Sequence, residues 1–161
     1  MQVGSGGQVA AFEPDPHAFA RLRYHVGINK LTNVRLFCAA ASDRDGIAHL
    51  NTTFGSSTSF IQERGNVQIA TVTPDSLVRA GKISAPRFIK CDVEGHGHLA
   101  LKGSCDSIVQ TRPVILFECH SGEELSGTRD VLLPLNYRRI DLNGRRLAWD
   151  DETITTILLP D

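Results

Sequence analysis

What this sequence has little of narrows it first. No apolar run approaches the ~20 residues that cross a bilayer. The opening Met1-Gln2-Val3-Gly4-Ser5-Gly6-Gly7 has neither the basic segment nor the apolar core of a signal peptide. We therefore expect a cytoplasmic protein with no membrane partner. Charge of one sign is missing too: 17 Lys and Arg stand against 18 Asp and Glu, for a formal charge of -1. Without a positive surplus, neither nucleic acid nor an anionic surface is favoured as a partner. Cysteine is sparse, and Cys38, Cys91, Cys105 and Cys119 are irregularly spaced, three of them in or beside apolar runs. That predicts buried, reduced thiols rather than a disulfide framework. Cys91, His96, His98 and Cys105 match no standard zinc spacing. A magnesium ion at Asp92 and Glu94 is disfavoured as well, so no metal is expected. Finally, no G-x-G-x-x-G loop follows a strand, which argues against a nicotinamide-dependent oxidoreductase.

What is present has the balance of one globular domain: 161 residues, 41% hydrophobic and 22% charged, long enough to bury a core unaided. With no repeat, low-complexity tract or long linker, residues 1–161 read as a single unit. Residues 8–12 form a short apolar strand stopped by Glu13-Pro14-Asp15-Pro16. A helix follows over 17–29, with Phe19, Leu22 and Val26 at helical spacing. Residues 33–40 are the next strand, closed by Ser42-Asp43-Arg44-Asp45-Gly46. The Thr- and Ser-rich stretch 47–72 predicts short strands or a hairpin, and Pro74 opens a short helix. Strands at 87–93 and 113–118 are continuously apolar and end in acids. Between them runs a helix over 98–103, with 109 as its furthest extent. A helix near 123–135 and strands at 137–142 and 153–159 finish the chain, the last two joined by the hairpin turn Asn143-Gly144. Alternating strands and helices with apolar central strands predict an α/β fold, mostly parallel, with an antiparallel C-terminal hairpin.

Three of the strongest strands stop at carboxylates: Glu13, Asp92 and Glu118, with Asp43 a weaker fourth. Ligands of an open α/β sheet bind beyond the carboxyl ends of its strands. There Glu13 is placed to accept both hydroxyls of a ribose, or else to start a helix turn. Asp43 either approaches a base or initiates its turn with Asp45 and Gly46. Asp92-Val93-Glu94-Gly95-His96 is the densest cluster. Two acids two residues apart face the same way if the chain is extended, and Gly95 permits a tight turn. Asp92, Glu94, His96, His98 and His120 are candidate bases. The competing reading makes Asp92 and Glu94 helix caps, with solvated histidines.

These residues together resemble the FkbM methyltransferases. The resemblance runs through Val9-Ala10-Ala11-Phe12-Glu13-Pro14-Asp15-Pro16, the turn 41–46, Val72-Thr73-Pro74-Asp75-Ser76-Leu77 and, above all, Phe88-Ile89-Lys90-Cys91-Asp92-Val93-Glu94-Gly95-His96 with Leu101-Lys102-Gly103. Arg112–Glu118 and Leu135-Asn136-Tyr137 continue it in the expected order. It implies a Rossmann-like class I sheet and transfer of a methyl group from S-adenosylmethionine (SAM), commonly to a hydroxyl of a sugar or natural-product small molecule. It also implies Glu13 on the ribose, Asp43 near the adenine and Asp92 at the methyl-transfer end, where Asp92, Glu94 and His96 are the catalytic candidates. Two departures stand out. The family's first strand and its "D-x-G-A-N-x-G" loop have no counterpart here, because Gly4, Gly6 and Gly7 precede a strand instead of following one. Gly97 also stands where the family usually has glutamate. A domain lacking its first strand would expose a sheet edge. The alternative function is therefore a non-catalytic remnant that acts as an interaction module, pairing with another copy through that edge.

Overall fold

Turn residues cut the apolar runs into short pieces, giving eleven strands, five α-helices and a 3-10 turn in the computed structural model, which describes residues 3–4, 6–52, 60–61 and 65–161. β1 (Val9–Phe12) runs out at Pro14. Asp15, 2% exposed, then caps α1 (Pro16–Ile28), accepting the His17 and Ala18 amides at 2.7 and 3.2 Å. β2 (Val34–Phe37) lies parallel to β1, and Phe12 stacks on Phe37 with ring centroids 4.9 Å apart. The expected strand over 33–40 is shorter than predicted. β3 (Ala40–Ala41) leaves it and joins a second sheet of order β3-β6-β4-β5, built with β4 (Gly46–Asn51), β5 (Phe60–Ile61) and β6 (Val67–Val72). The short strands expected in 47–72 are there and pair antiparallel, while 53–59 and 62–64 of that stretch fall outside the described residues, as do Met1, Gln2 and Ser5.

The third sheet has the order β10-β9-β11-β8-β7 and holds the main core. β7 (Phe88–Cys91) and β8 (Val114–Glu118) are parallel. β9 (Tyr137–Ile140), β10 (Arg146–Leu147) and β11 (Thr155–Pro160) are antiparallel to their neighbours. Ile108, Ile115, Leu132 and Leu158 are each 0% exposed, and full burial of such side chains stabilises the fold by roughly 1.5–3 kcal/mol apiece. The expected single, mostly parallel sheet is thus three sheets among the described residues, with three parallel pairings (β1–β2, β3–β6, β7–β8) and the rest antiparallel. Local turn chemistry accounts for part of this, since Ser42–Gly46 reverses the chain so that β4 pairs with β6 head to tail.

Two other expectations change in detail. Asn143-Gly144 turns β9 into the two-residue β10 and not directly into β11. Asp141 closes that loop by accepting the Asn143 and Arg145 amides, and Gly144 takes φ +86°. The helix expected over 98–103 is α3 (Gly97–Lys102), and it does not extend to 109: a separate helix, α4 (Cys105–Thr111), follows after Gly103 and Ser104. Neither N-cap residue supplies a side-chain cap. Asp75, buried in α2 (Pro74–Arg79), accepts the Asp106 and Ser107 amides instead and caps α4 from another element. α5 (Gly122–Leu132) begins at Ser121 and leads through the 3-10 turn Leu133–Leu135 into β9.

Candidate active site

β7 and β8 pair in parallel, Cys91 beside Phe117, so the residues just beyond them emerge on the same rim. There Asp92 and Glu118 meet His120, and one ligand atom from each lies within 4.8 Å of the others. His120 is the hub. Its Nε2 is 3.2 Å from Asp92 Oδ1 and its Nδ1 is 3.6 Å from Glu94 Oε2. The other Asp92 oxygen accepts from Lys90 Nζ at 2.8 Å. The Lys90 ammonium, aided by His120, holds the Asp92 carboxyl below its ordinary range, so it is ionised at neutral pH. Asp92 and Glu94 do face one group, but not because the chain is extended. The strand ends at Cys91, and residues 93–96 form a turn closed by the His96 amide on the Val93 carbonyl at 3.0 Å. Glu94 sits at φ +36° and Gly95 at φ +89°, and for a side-chain-bearing residue the left-handed region costs roughly 1–2 kcal/mol. That turn swings the Glu94 carboxylate back to the His120 ring.

The imidazole facing Asp92 is His120, while His96 begins α3. The His96 Nδ1 is buried with no hydrogen-bond partner among the described residues, and burial holds its pKa below the ordinary histidine value, which leaves the ring neutral at pH 7. Asp92 and Glu94 do not cap α3. Its first amide, Gly97, is taken by Glu124 of α5. Glu124 is the residue that sequence reasoning missed, although Ser121-Gly122-Glu123-Glu124 has the spacing of a capping box and the Ser121 hydroxyl accepts the Glu124 amide at 3.1 Å. Behind the rim, burial together with the Glu124 and Asp92 carboxylates pushes the Cys91 thiol up to about 12, so it is a neutral packing group.

Glu13 and Asp43 keep other company. Glu13 is half-buried at the end of β1, where its Oε1 accepts the Asp15 amide at 2.9 Å and burial raises its pKa. Asp43 pairs with Lys102 at 3.2 Å, at the end of α3, whereas its neighbour Asp45 accepts the Thr73 amide at 2.6 Å and supports the start of α2. A shallow cavity of about 290 Å³ lies between the 3-10 turn, β9 and β10, lined by Arg138, Arg146 and Trp149, and none of these acids lines it. Asp92, Glu118 and His120 have the donor types and spacing to share one divalent ion. Lys90 already supplies positive charge to one of the Asp92 oxygens.

The chain was compared with known proteins against this geometry. Residues 1–139 match the model of the methyltransferase FkbM domain. The hexuronic acid methyltransferase AglP of Haloferax volcanii is 27% identical over 147 residues, an alignment covering 91% of this chain and 60% of that protein. A crystal structure of methyltransferase FkbM from Methylobacillus flagellatus superposes with a TM-score of 0.66 at 20% identity, covering 95% of this chain and 36% of that one. The chain therefore spans less than two thirds of the length of either relative. With the family model matching most of its residues and the acidic rim sitting on the motif that carries the likeness, this chain belongs to the FkbM methyltransferase family.

Proposed function

We propose that this chain is the greater part of a SAM-dependent methyltransferase domain that methylates a hydroxyl of a sugar or other small molecule. The observation that carries the reading is the convergence of Asp92, Glu94, Glu118 and His120 beyond two parallel strands in a chain of this family. A sugar acceptor is favoured by the relative named for hexuronic acid. When bound, SAM supplies an electrophilic methyl group on a positive sulfonium. Asp92, kept ionised by Lys90, suits the neighbourhood of that charge. Glu13 is assigned the ribose hydroxyls and Asp43 the adenine. With SAM bound, an acceptor hydroxyl that took the methyl would have to give up its proton to a base of this chain. We assign that proton to Glu94 or His96.

β1 pairs only with β2, and β7 only with β8, so among the described residues each has one unpaired edge. We assign to these edges a further parallel strand that completes a Rossmann-like sheet and the cofactor cradle. The same edges favour the second reading, an interaction module that pairs with another copy. Calorimetric titration of the full-length protein with SAM separates the two. Binding is expected, with Glu13→Ala weakening it by at least ~1 kcal/mol through lost charge-assisted hydrogen bonds. Asp92→Asn is expected to cost transfer ~10²-fold or more. No heat with SAM, or unchanged affinity in Glu13→Ala, removes the corresponding assignment.

A further inference from the structure

Glu124 lies outside the carboxylate–imidazole cluster, yet both halves of that cluster hang from it through backbone amides. It is fully buried, 0% exposed, in the first turn of α5, and its two oxygens both bond outside their own helix. Oε1 accepts the Gly97 amide at 2.6 Å, and Oε2 accepts the His120 amide at 2.7 Å. Gly97 closes the segment after β7 that carries Asp92 and Glu94. His120 lies in the segment that follows Glu118, the last residue of β8. One carboxylate therefore spans the two loops whose side chains must meet. Charge-assisted bonds of this length, made where water does not compete, are short and directional.

Gly97 is part of the same device. A Cβ at this position would stand 2.7 Å from Glu124 Oε1, 2.6 Å from Cε2 of Phe117 and 3.0 Å from Cys91 Sγ. The space next to residue 97, where the family resemblance leads one to expect a glutamate, is filled by a carboxylate that arrives from α5. A side chain at 97 would collide with that carboxylate, so glycine at 97 leaves the room that Glu124 occupies.

We propose that Glu124 is a positioning residue for the methyl-transfer site, setting the separation between the Asp92–Glu94 turn and the Glu118–His120 segment. Its bearing on catalysis rests on the function proposed above, but the mechanical link between the two loops does not. The test is per-residue amide hydrogen exchange by NMR on the full-length protein, comparing Glu124→Gln with Leu132→Ala. Leu132 is a fully buried residue of the same helix, and the two variants are compared at temperatures that equalise their global stability. The amides of Gly97 and His120 should both exchange about tenfold faster in Glu124→Gln, the scale of one lost bond to a charged group, and in Leu132→Ala they should not. At fixed pH the ring resonances of His120 should move in the first variant and stay in the second. Gly97→Ala, which drives a methyl into the same carboxylate, should loosen the same two amides and serves if Glu124→Gln does not fold. Faster exchange at only one of the amides, equal loosening in Leu132→Ala, or an unmoved His120 ring would overturn the proposal. None of these readouts involves SAM. Failure here leaves the proposed function standing, and failure of SAM binding leaves the link between the loops standing.

Discussion

At the scale of single residues, environment separates side chains that look alike in the sequence. Three acids end strands, yet Asp92 is held below its ordinary pKa by Lys90, while burial raises that of Glu13. Two histidines near the rim differ in the same way, with His120 set between carboxylates and His96 buried and, among the described residues, unpartnered at Nδ1. Burial lowers the His96 pKa from 6.5, so the folded state resists a proton that the unfolded state accepts. The stability His96 contributes is therefore complete above about 6.5 and lost as pH falls through its lower folded value. The urea midpoint should drop between about pH 7 and pH 5.5, and His96→Gln should flatten that slope. Identical slopes would place the acid sensitivity elsewhere. Asp92, also lowered but from 3.8, acts only in a more acidic window and does not confuse the measurement.

At the scale of elements, two short helices owe their starts to carboxylates from elsewhere in the chain: Asp75 for α4 and Glu124 for α3. Close approach, not unusual backbone angles, explains the glycine between them. A Cβ on Gly103 would fall inside the contact distance of the Ser42 carbonyl oxygen, a backbone atom that cannot rotate aside, and the Gly103 carbonyl accepts the Asp75 amide at 3.1 Å. Gly103→Ala should lose about 1–3 kcal/mol. Gly27, near the end of α1 with nothing within 4 Å of an added Cβ, offers the opposite case. Gly27→Ala should gain about 0.5–1 kcal/mol. Chemical denaturation of the two variants checks both signs. Another buried tie is Arg139, 1% exposed, which donates to the carbonyls of Ala148, Asp151 and Thr153 and so pins the strand-poor segment between β10 and β11. A charged residue in an alternating strand pattern reads as outward-facing, so nothing in the sequence marked it for burial.

At the scale of the whole molecule, the edges of β1 and β7 matter most. α1 contains no buried residue, and Tyr24, Ile28, Leu31 and Phe88 are large apolar side chains left exposed. If a strand from a longer form of the protein pairs with the free edges of β1 and β7, that longer protein should be monomeric with slowly exchanging β7 amides. The 161-residue chain alone should then self-associate through the free edges. Sedimentation of both forms decides this, and a monomeric short chain with equally protected β7 amides would count against the missing strand. Among the described residues no helix is long and apolar enough to cross a membrane.

Local periodicity and punctuation were enough to read most elements: β1 and α1 around Pro14 and Pro16, the acidic ends of β7 and β8, and the antiparallel C-terminal strands. The family followed from ordered motifs along the chain, which a one-dimensional record preserves. Tertiary structure alone decided which acids meet. The pairing of β7 with β8 brings His120 to Asp92, and the left-handed turn at Glu94 and Gly95 returns Glu94 to the same ring. Glu124 crosses from α5 to join the two loops. All but the Glu124–His120 bond join residues some 26 to 28 positions apart in the sequence, and their energies depend on burial and distance, which chain order does not encode.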